Sequence, residues 1–572
     1  MHPTSAIGPE DSTPIMSAAW AEPTFPDYPP TVGNAVADAA GSWGDHQFVV
    51  TPDDALTYAQ LDRRSRHLAA RLVEAGVTKG DKVAVLFPNS PAWVISWVAV
   101  TRIGAVIVPV STFYKEFELG RFLRHSDVGY LLGIPSFLSH DYVRRLAAVA
   151  PELDDQPGPQ LLLPSLPQLR GVFFWGDSPV PWATGGWGDG LDEEPPARPA
   201  EVAAAMEADV SPADPMMLMY TSGSTADPKG ALHSHGGMTR HATNMAALSQ
   251  WESSFRLWSP MPFFWVGGFH TIMFRALISG ATLVTQGAVD AGEVLETIER
   301  EKITHILAWP GTTQSLMDHP RYASTDFSSV LGGSLYEQVP ADRRPSDLTL
   351  NCNSLGMTET CGPHSSYTVH EEHHGVPPDY RGTFGRMVPG VEVRIVDFDT
   401  GEPLPDGVEG EVVVRGYSVM LGIHRQERAD TLDGDGWYHT SDRGLYRDGW
   451  LFFSGRQSDM IKTSGSNVAP AEVEICLSTF PEIMQAFVLG VPHPTHEQDV
   501  VALVVPWSSE TGEPGKLDTV DITARLRQQL SSFKVPTQMF VVPEDQVPWL
   551  PSQKPDRRAL TRLAEELAKN GA

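Results

Sequence analysis

The stretch that most constrains this chain lies at residues 220–230, YTSGSTADPKG, where the apolar run PMMLMY ends and a helical pattern begins soon after. Gly223 and Gly230 permit backbone conformations that aim N–H groups inward, Thr221, Ser222, Ser224 and Thr225 add hydroxyl donors, and Lys229 adds a positive charge. Those are phosphate ligands. A Walker A loop needs glycine directly before the lysine and Ser or Thr after it, whereas Pro228 precedes Lys229 and Gly230 follows, so an ordinary P-loop NTPase fits poorly. A solvated Gly/Ser turn is the alternative that the loop alone leaves open.

The surrounding pattern points to an α/β fold. LTYAQLDRRSRHLAARLVEAGVTKGD places apolar residues at helical spacing, stops at Gly76 and Gly80, and leads into a strand over Val83–Phe87, the rhythm of a parallel α/β sheet. In the apolar stretch Trp93–Tyr114, Arg102 and Gly104 interrupt well short of the ~20 residues of a membrane span, so with KVAVLFPNSP it reads as strand, helix, strand. Residues 185–215, rich in Pro, Gly and acid, read as a long exposed connection. After about Asp459, short alternating strands (QAFVLGVPH, VVALVVP) surround one helix (TVDITARLRQQLSSF), an α+β unit of lid size. The expected organisation is a disordered tail over 1–30, a large N-terminal domain of parallel-type α/β sheets over 31–457, and a small mobile α+β C-terminal lid domain over 458–572.

Composition removes several function classes. With 42 basic and 71 acidic residues the formal charge is −29, which leaves no basic footprint for nucleic acid, although a small anion still fits a local site. Cys352, Cys361 and Cys476 are an odd number without a CxxC pair, against a disulfide framework or structural zinc. MHPTSAIGPEDSTP has no basic start before an apolar core, so the expected location is cytoplasmic.

YTSGSTADPKGALHSH closely resembles the phosphate loop of the acyl-adenylate-forming superfamily, which includes acyl-CoA synthetases, peptide-synthetase adenylation domains and luciferases. NSLGMTETCG, GTFGRMVPGVEVRIVD, GEVVVRGYSVMLG, DGWYHTSDRG, SGRQSDMIKTSGSNVAPAEVE and PSQKPDRRAL follow in that family's order, and LTYAQLD, GVTKGDKVAV and PNSPAW are similar to it near the start. The resemblance covers roughly residues 30–565.

The resemblance implies an acyl-CoA ligase that uses ATP, Mg²⁺ and CoA. A carboxylate is a poor acyl donor, so the family makes an acyl-AMP from ATP with release of pyrophosphate, and AMP then leaves as the CoA thiol attacks. Such transfer needs charge neutralisation more than covalent help. By resemblance, Thr221, Ser222, Gly223, Ser224, Thr225 and Lys229 enclose the β- and γ-phosphates, Glu359 holds Mg²⁺, and Thr358 lies close to the α-phosphate. Gly333, Ser334, Leu355, Gly356 and Met357 complete the nucleotide site, Asp442 accepts from both ribose hydroxyls, and Arg456 is a second ribose or phosphate contact. Lys554 bridges the acyl carboxylate and the α-phosphate, and counts with Thr221 and Glu359 among the catalytic groups. The lid then turns about a hinge at Ser458 and Asp459 to bring Gly465 and Ser466 to the CoA side. Taken singly, the MTE triplet reads as a helix start, Arg456 and Gly465 as turn residues and Lys554 as a surface lysine.

The sequence also departs from the family. Leu355 stands where an aromatic residue usually stacks on adenine, Ser441 and Gln553 replace glycines before Asp442 and Lys554, and Trp265 replaces a histidine beside the acyl carboxylate. The acyl pocket draws by resemblance on Trp265, Gly268, Phe269, Trp309 and Gly332, which make it apolar and aromatic with glycines leaving room; core packing explains any single aromatic equally well. No Asp stands near Phe264 to pair an α-ammonium, so a non-amino acid, bulky, cyclic or aryl, is expected. Three other readings stay open: a half-reaction enzyme that takes acyl-AMP from a partner adenylating ligase, a ligase that loads an acyl carrier protein, and a non-catalytic nucleotide or acyl-AMP binding protein.

Overall fold

The computed structural model describes residues 21–221, 229–456, 461–463, 466–468, 470–493, 497–507, 517–530, 534–550 and 555–570. Two large sheets dominate the N-terminal part. In the first, Gly171–Phe174, Tyr130–Gly133, Lys82–Leu86, Val106–Pro109 and Pro215–Thr221 lie side by side in parallel, and Lys229–Ser234 and Gly422–Ile423 extend it antiparallel. In the second, Gly332–Gly333, His305–Ile306, Arg256–Trp258, Thr282–Val284 and Gln47–Val50 are parallel, with Ala55–Thr57 antiparallel at the edge. The parallel strands are near-continuous apolar runs because both faces are covered.

The stretch Trp93–Tyr114 folds as helix Pro91–Arg102, capped by Ser90 with Pro91 in its first turn, and strand Val106–Pro109. Nearly every residue of that helix is buried, which is why it mimics a membrane span, yet no described helix is long and apolar enough to cross a membrane. Helix Tyr58–Glu74 packs beside it behind a capping box of Thr57 and Gln60.

Two expectations are corrected. The segment 185–215 is no mere exposed connection: Trp187 stacks on Phe173 at 4.0 Å, and helix Ala197–Ala208 carries Glu207 to the buried Arg102. Of the tail expected over 1–30, the described residues 21–30 pack on the body: Thr24 N–H donates to Asn244 and Phe25 meets Tyr417 edge-on at 5.0 Å. The N-terminal part also contains a sheet that is not parallel, with Val391–Val396, Gly410–Gly416, Tyr438–Arg447 and Trp450–Arg456 forming an antiparallel meander. Its period-two burial puts apolar side chains on one face.

The C-terminal part is α+β. Ile483–His493 and Glu497–Pro506 pair antiparallel, Gln538–Val541 adds in parallel, and helices Pro470–Ser478 and Thr519–Gln529 close a separate core around Val488, Ala502, Ile522 and Leu526. Helix Arg557–Asn570 packs on the same strands through Leu560 and Ala564.

Candidate active site

The phosphate-type loop is a hairpin connection. Pro215–Thr221 pairs antiparallel with Lys229–Ser234, Thr221 standing opposite Lys229, so the two ends are fixed while Ser222, Gly223, Ser224 and Thr225 lie outside the described residues. The expected helix follows as His235–Ser249, where Ser234 accepts from the Gly237 N–H. Gly230 lies against its strand neighbours, where a Cβ would come within 2.8 Å of Leu218 and 3.1 Å of the Tyr220 ring.

The same hairpin carries the Thr358–Glu359 turn. The strand Leu355–Met357 runs into a 3₁₀ turn over Thr358–Thr360, and Cys361 takes a left-handed φ of 61° to reverse the chain. His233 Nε2–H donates to the Thr358 carbonyl at 2.8 Å, which leaves Nδ1 to accept from the Cys361 thiol at 3.1 Å. Burial lowers the His233 pKa to about 4, so this ring is a neutral strut. The Glu359 carbonyl accepts from Met420 N–H at 2.9 Å, and the Glu359 carboxylate lies near Tyr438, whose hydroxyl pKa burial and that charge both raise.

Tyr438 begins the strand that holds Asp442. Asp442 and Arg456 are register partners, and Arg456 Nε–H donates to Asp442 Oδ1 at 3.0 Å. The Asp442 side chain is 3% exposed and that of Arg456 52%, so one partner is fixed and the other reaches out. Burial raises the Asp442 carboxyl to about 6; Arg456 opposes the shift, and the carboxylates of Glu359 and Glu411 add to it. Oδ2 accepts no hydrogen bond among the described residues and is left as a free acceptor.

Ser441, at φ 59°, occupies the left-handed conformation for which a glycine is suited. Glu411 stabilises that kink: its carboxylate accepts from Ser441 N–H at 2.9 Å and meets His439 Nδ1 at 2.8 Å. The kink turns Asp442 inward, and Thr440 steadies it by accepting from Asp442 N–H at 3.0 Å while donating to the Val412 carbonyl.

Two further cavities share a wall. One of about 230 Å³ is lined by Trp251, Ile272, Arg275, Ala308, Ser334 and Pro363 among others. The other, of about 460 Å³, is lined by Gly332, Gly333, Tyr336, Asn351 and Cys352 among others, and the two share Leu307, Ala308, Ser334, Tyr367 and Glu372. Ser334 braces the shared wall by donating to the Ala308 carbonyl at 2.8 Å and accepting its N–H at 3.0 Å. Gly333 is glycine for a backbone reason: at φ 107° its Cβ would fall 2.1 Å from the Ile306 carbonyl oxygen.

The aromatic residues expected in an acyl pocket separate. Phe269 is fully buried among Trp93, Trp97 and Phe274, so it belongs to the core and not to a cavity wall. Gly268 leaves no room for a ligand either, because a Cβ there would meet the Pro262 carbonyl oxygen at 2.2 Å. Both corrections have one cause: Gly267–Phe274 is a π-helical turn, whose wider winding turns Phe269 toward helix Pro91–Arg102. Trp265 and Trp309 remain partly exposed and meet edge-on at 5.9 Å. Phe113 lies 6.1 Å from Trp265 and completes an aromatic collar. Leu355 is half-buried against the cluster of Met245, Leu248 and Met387, and Gly356 lets its strand approach Gly362 and Pro363, where a Cβ would lie at 2.5 Å.

Hinge residues Ser458 and Asp459, together with Gly465 and Lys554, lie outside the described residues. Ser466 starts a short strand, opposite Thr463. Sequence reasoning missed Tyr438, Glu411 and His233. Each lies inside a quoted motif, but its role depends on a partner 28 to 125 positions away and on strand register that no local pattern displays.

The AMP-binding enzyme family model matches residues 36–424, and the AMP-binding enzyme C-terminal domain model matches 472–554. The chain is 32% identical over 491 residues to a feruloyl-CoA synthase of Amycolatopsis sp, covering 84% of this chain and 89% of that protein. It is 31% identical over 542 residues to a 3-[(3aS,4S,7aS)-7a-methyl-1,5-dioxo-octahydro-1H-inden-4-yl]propanoyl:CoA ligase of Rhodococcus jostii (strain RHA1), covering 92% and 98%. The fold superposes on the amide bond synthetase McbA from Marinactinospora thermotolerans with a TM-score of 0.74, at 25% identity over 93% of this chain and 99% of that one.

Proposed function

The chain belongs to the AMP-binding enzyme family, and on that premise we propose that it is an acyl-CoA ligase for a ring-bearing carboxylic acid, activating the acid as acyl-AMP and transferring the acyl group to CoA. The observation that carries the reading is the convergence of Glu359, Tyr438, Asp442 and Arg456 beside the hairpin that ends in Thr221 and Lys229. A nucleotide needs this combination: donors for its phosphates, a carboxylate near them, and a buried acceptor for the ribose hydroxyls.

In this reading Asp442 Oδ2 accepts from the ribose while Arg456 holds Oδ1 and keeps the carboxylate ionised at neutral pH. Glu359, near the buried Tyr438 hydroxyl, presents a single carboxylate. One carboxylate suits Mg²⁺, which keeps several waters and binds chiefly through phosphates. Bound there, the ion supplies charge neutralisation at the phosphate oxygens. Lys229 and the donors of 221–225 take the β- and γ-phosphates, and Lys554 delivers its charge between the acyl carboxylate and the α-phosphate. The cavity with Gly333 and Asn351 takes the base; Leu355 serves it through aliphatic contact in place of stacking. The cavity with Trp251 and Ile272 takes the acyl group, with Trp265 and Trp309 at its collar. Gly465 and Ser466 belong to the CoA side of a C-terminal unit hinged at Ser458 and Asp459, and the cell compartment proposed is the cytoplasm.

The two relatives named above make CoA thioesters of acids that carry rings, and each aligns over most of its own length. That favours both half-reactions in one chain and lends no support to a partner ligase. The test is thioester formation with ATP, Mg²⁺ and CoA across a panel of aryl and bicyclic acids, alongside pyrophosphate release. Pyrophosphate release without thioester, or neither with any acid, would overturn the reading.

A further inference from the structure

The acyl-side cavity holds a cation that the family's chemistry does not use. Arg275 follows the π-helical turn Gly267–Phe274 and lines the cavity with Ser249 and Trp251, but not the neighbouring cavity. Its guanidinium carbon sits 3.5 Å from the centre of the Trp251 ring, so the planar group is stacked and its N–H bonds point edgewise. Only one of those donors is used: Nη1 donates to Ser249 Oγ at a long 3.4 Å. The Nε–H is buried and has no partner, and among the described residues no carboxylate lies within 4.0 Å of the guanidinium. A buried donor left without a partner is costly, and a charged one more so.

We propose that Arg275 is a specificity-determining residue that anchors a neutral oxygen function, a ring ketone or hydroxyl, on the part of the acid remote from the carboxylate being activated. The proposal rests on the assignment of this cavity to the acyl group. Three features fix the ligand's chemistry. The terminal Nη2 donors, which have no partner among the described residues, require an acceptor oxygen, whereas the buried Nε–H fixes the plane of the group. Glu372 lines the same cavity and already balances the charge of Arg275 at longer range, so a second anion would meet repulsion from it. The volume of about 230 Å³ holds roughly eight water-sized groups at ~30 Å³ each, room for an aryl or bicyclic body and not for a long flexible chain. Burial lowers the Arg275 pKa only to about 10, so the guanidinium keeps its charge at neutral pH.

Three acids serve as probes: 3-phenylpropanoate, 3-(4-acetylphenyl)propanoate and 3-(4-carboxyphenyl)propanoate. Their affinities are measured calorimetrically on the full chain with a non-hydrolysable ATP analogue present. A hydrogen bond to a charged group predicts that the acetyl probe binds on the order of 10–100-fold more tightly than the parent. In Arg275→Met, which keeps the volume, the two should bind within about threefold of each other, and a cooperative thermal melt shows that the variant is folded. Arg275→Lys, which keeps the charge but not the flat donor edge, should lose most of the preference and stands in if the Met variant does not fold. Equal binding of acetyl and parent probes by the parent protein, a preference that survives Arg275→Met, or no binding by any probe would overturn the proposal. Tightest binding by the dicarboxylate would overturn the neutral-oxygen assignment. Thioester formation from 3-phenylpropanoate tests the ligase reading separately, so failure of one is distinguishable from failure of the other.

Discussion

Arg456 Nε–H donates to Asp442 Oδ1 across 3.0 Å, and the same two residues face each other in the strand register. The bond holds a carboxylate that burial and two neighbouring acids push toward neutrality, with the carboxyl raised from 3.8 to about 6. A raised carboxyl favours folding below its unfolded value and loses that contribution as pH climbs through the folded one. Asp442→Asn should therefore stabilise the ligand-free protein at pH 8 by up to about 3 kcal/mol, from about two pKa units at 1.36 kcal/mol each. The gain should shrink toward pH 4, which thermal melts at several pH values would register.

The same residue makes nucleotide affinity pH-dependent in the opposite sense. The ribose hydroxyls need an ionised acceptor, so ATP and acyl-AMP should bind more weakly as pH falls through about 6. Asp442→Asn should weaken both at pH 7.5 by on the order of 10–100-fold, the scale of a hydrogen bond to a charged group, and flatten the pH profile. A profile unchanged in the variant would remove Asp442 from the ribose site.

Glu359 lies near the buried Tyr438 hydroxyl, so its proposed metal role has two separable parts. Glu359→Gln should raise the Mg²⁺ concentration needed for half-maximal adenylation about tenfold or more while leaving thioester formation from supplied acyl-AMP nearly intact. Tyr438→Phe should shift the same midpoint less, since the carboxylate stays and only its neighbour changes. Matching Mg²⁺ titrations for Glu359→Gln and the parent would refute the assignment.

Much of the fold was legible because hydrophobic period and caps are local. The helical spacing of apolar residues and the stops at Gly76 and Gly80 mark the helix Tyr58–Glu74 and the strand Lys82–Leu86 that follows it. The segment 185–215 was misread because its burial comes from distant partners, Trp187 on Phe173 and Glu207 on Arg102. Phe269 was misread because a π-helical turn shifts which face a residue occupies, and no pattern of apolar residues marks it. The site motifs placed Asp442, Arg456 and Glu359 together, whereas Tyr438, Glu411 and Arg275 became visible only through side-chain contacts.

Arg102 shows how strongly the misread segment is tied down. Its side chain is 1% exposed, and it donates to Asp62, Glu207 and Ser65, linking three helices. Arg102→Ala leaves two carboxylates facing a cavity and should cost about 3–5 kcal/mol, as loss of one partner of a buried pair does. Denaturant unfolding should show it, and limited proteolysis should then cut within 185–215. A variant as stable as the parent would show that helix Ala197–Ala208 holds without this contact.

Ser441 tests whether a departure from the family is tolerated or compensated. At φ 59° a serine sits in a conformation that costs a non-glycine residue about 1–2 kcal/mol, and Glu411 braces it. Ser441→Gly should leave melting temperature and nucleotide affinity essentially unchanged, since the relief of strain is offset by the freer unfolded chain. Ser441→Val, β-branched and intolerant of that φ, should lower both.

The last prediction concerns Lys554 and the division of labour between the half-reactions. Lys554 itself lies outside the described residues; of those that flank it, Trp549 and Pro555 form an antiparallel bridge and Asp556 N–H donates to the Pro548 carbonyl at 2.9 Å. Transition-state stabilisation requires a charge delivered to a fixed point. Lys554→Ala should cut acyl-AMP formation by on the order of 10²–10³-fold, the loss expected for one preorganised donor. Once the mixed anhydride exists, attack by the CoA thiol no longer needs that charge, so conversion of synthetic acyl-AMP should fall by less than about threefold. Paired assays on one preparation decide it: ATP with acid and CoA, then acyl-AMP with CoA. An equal loss in both assays would mean that Lys554 supports the whole C-terminal unit instead of one step.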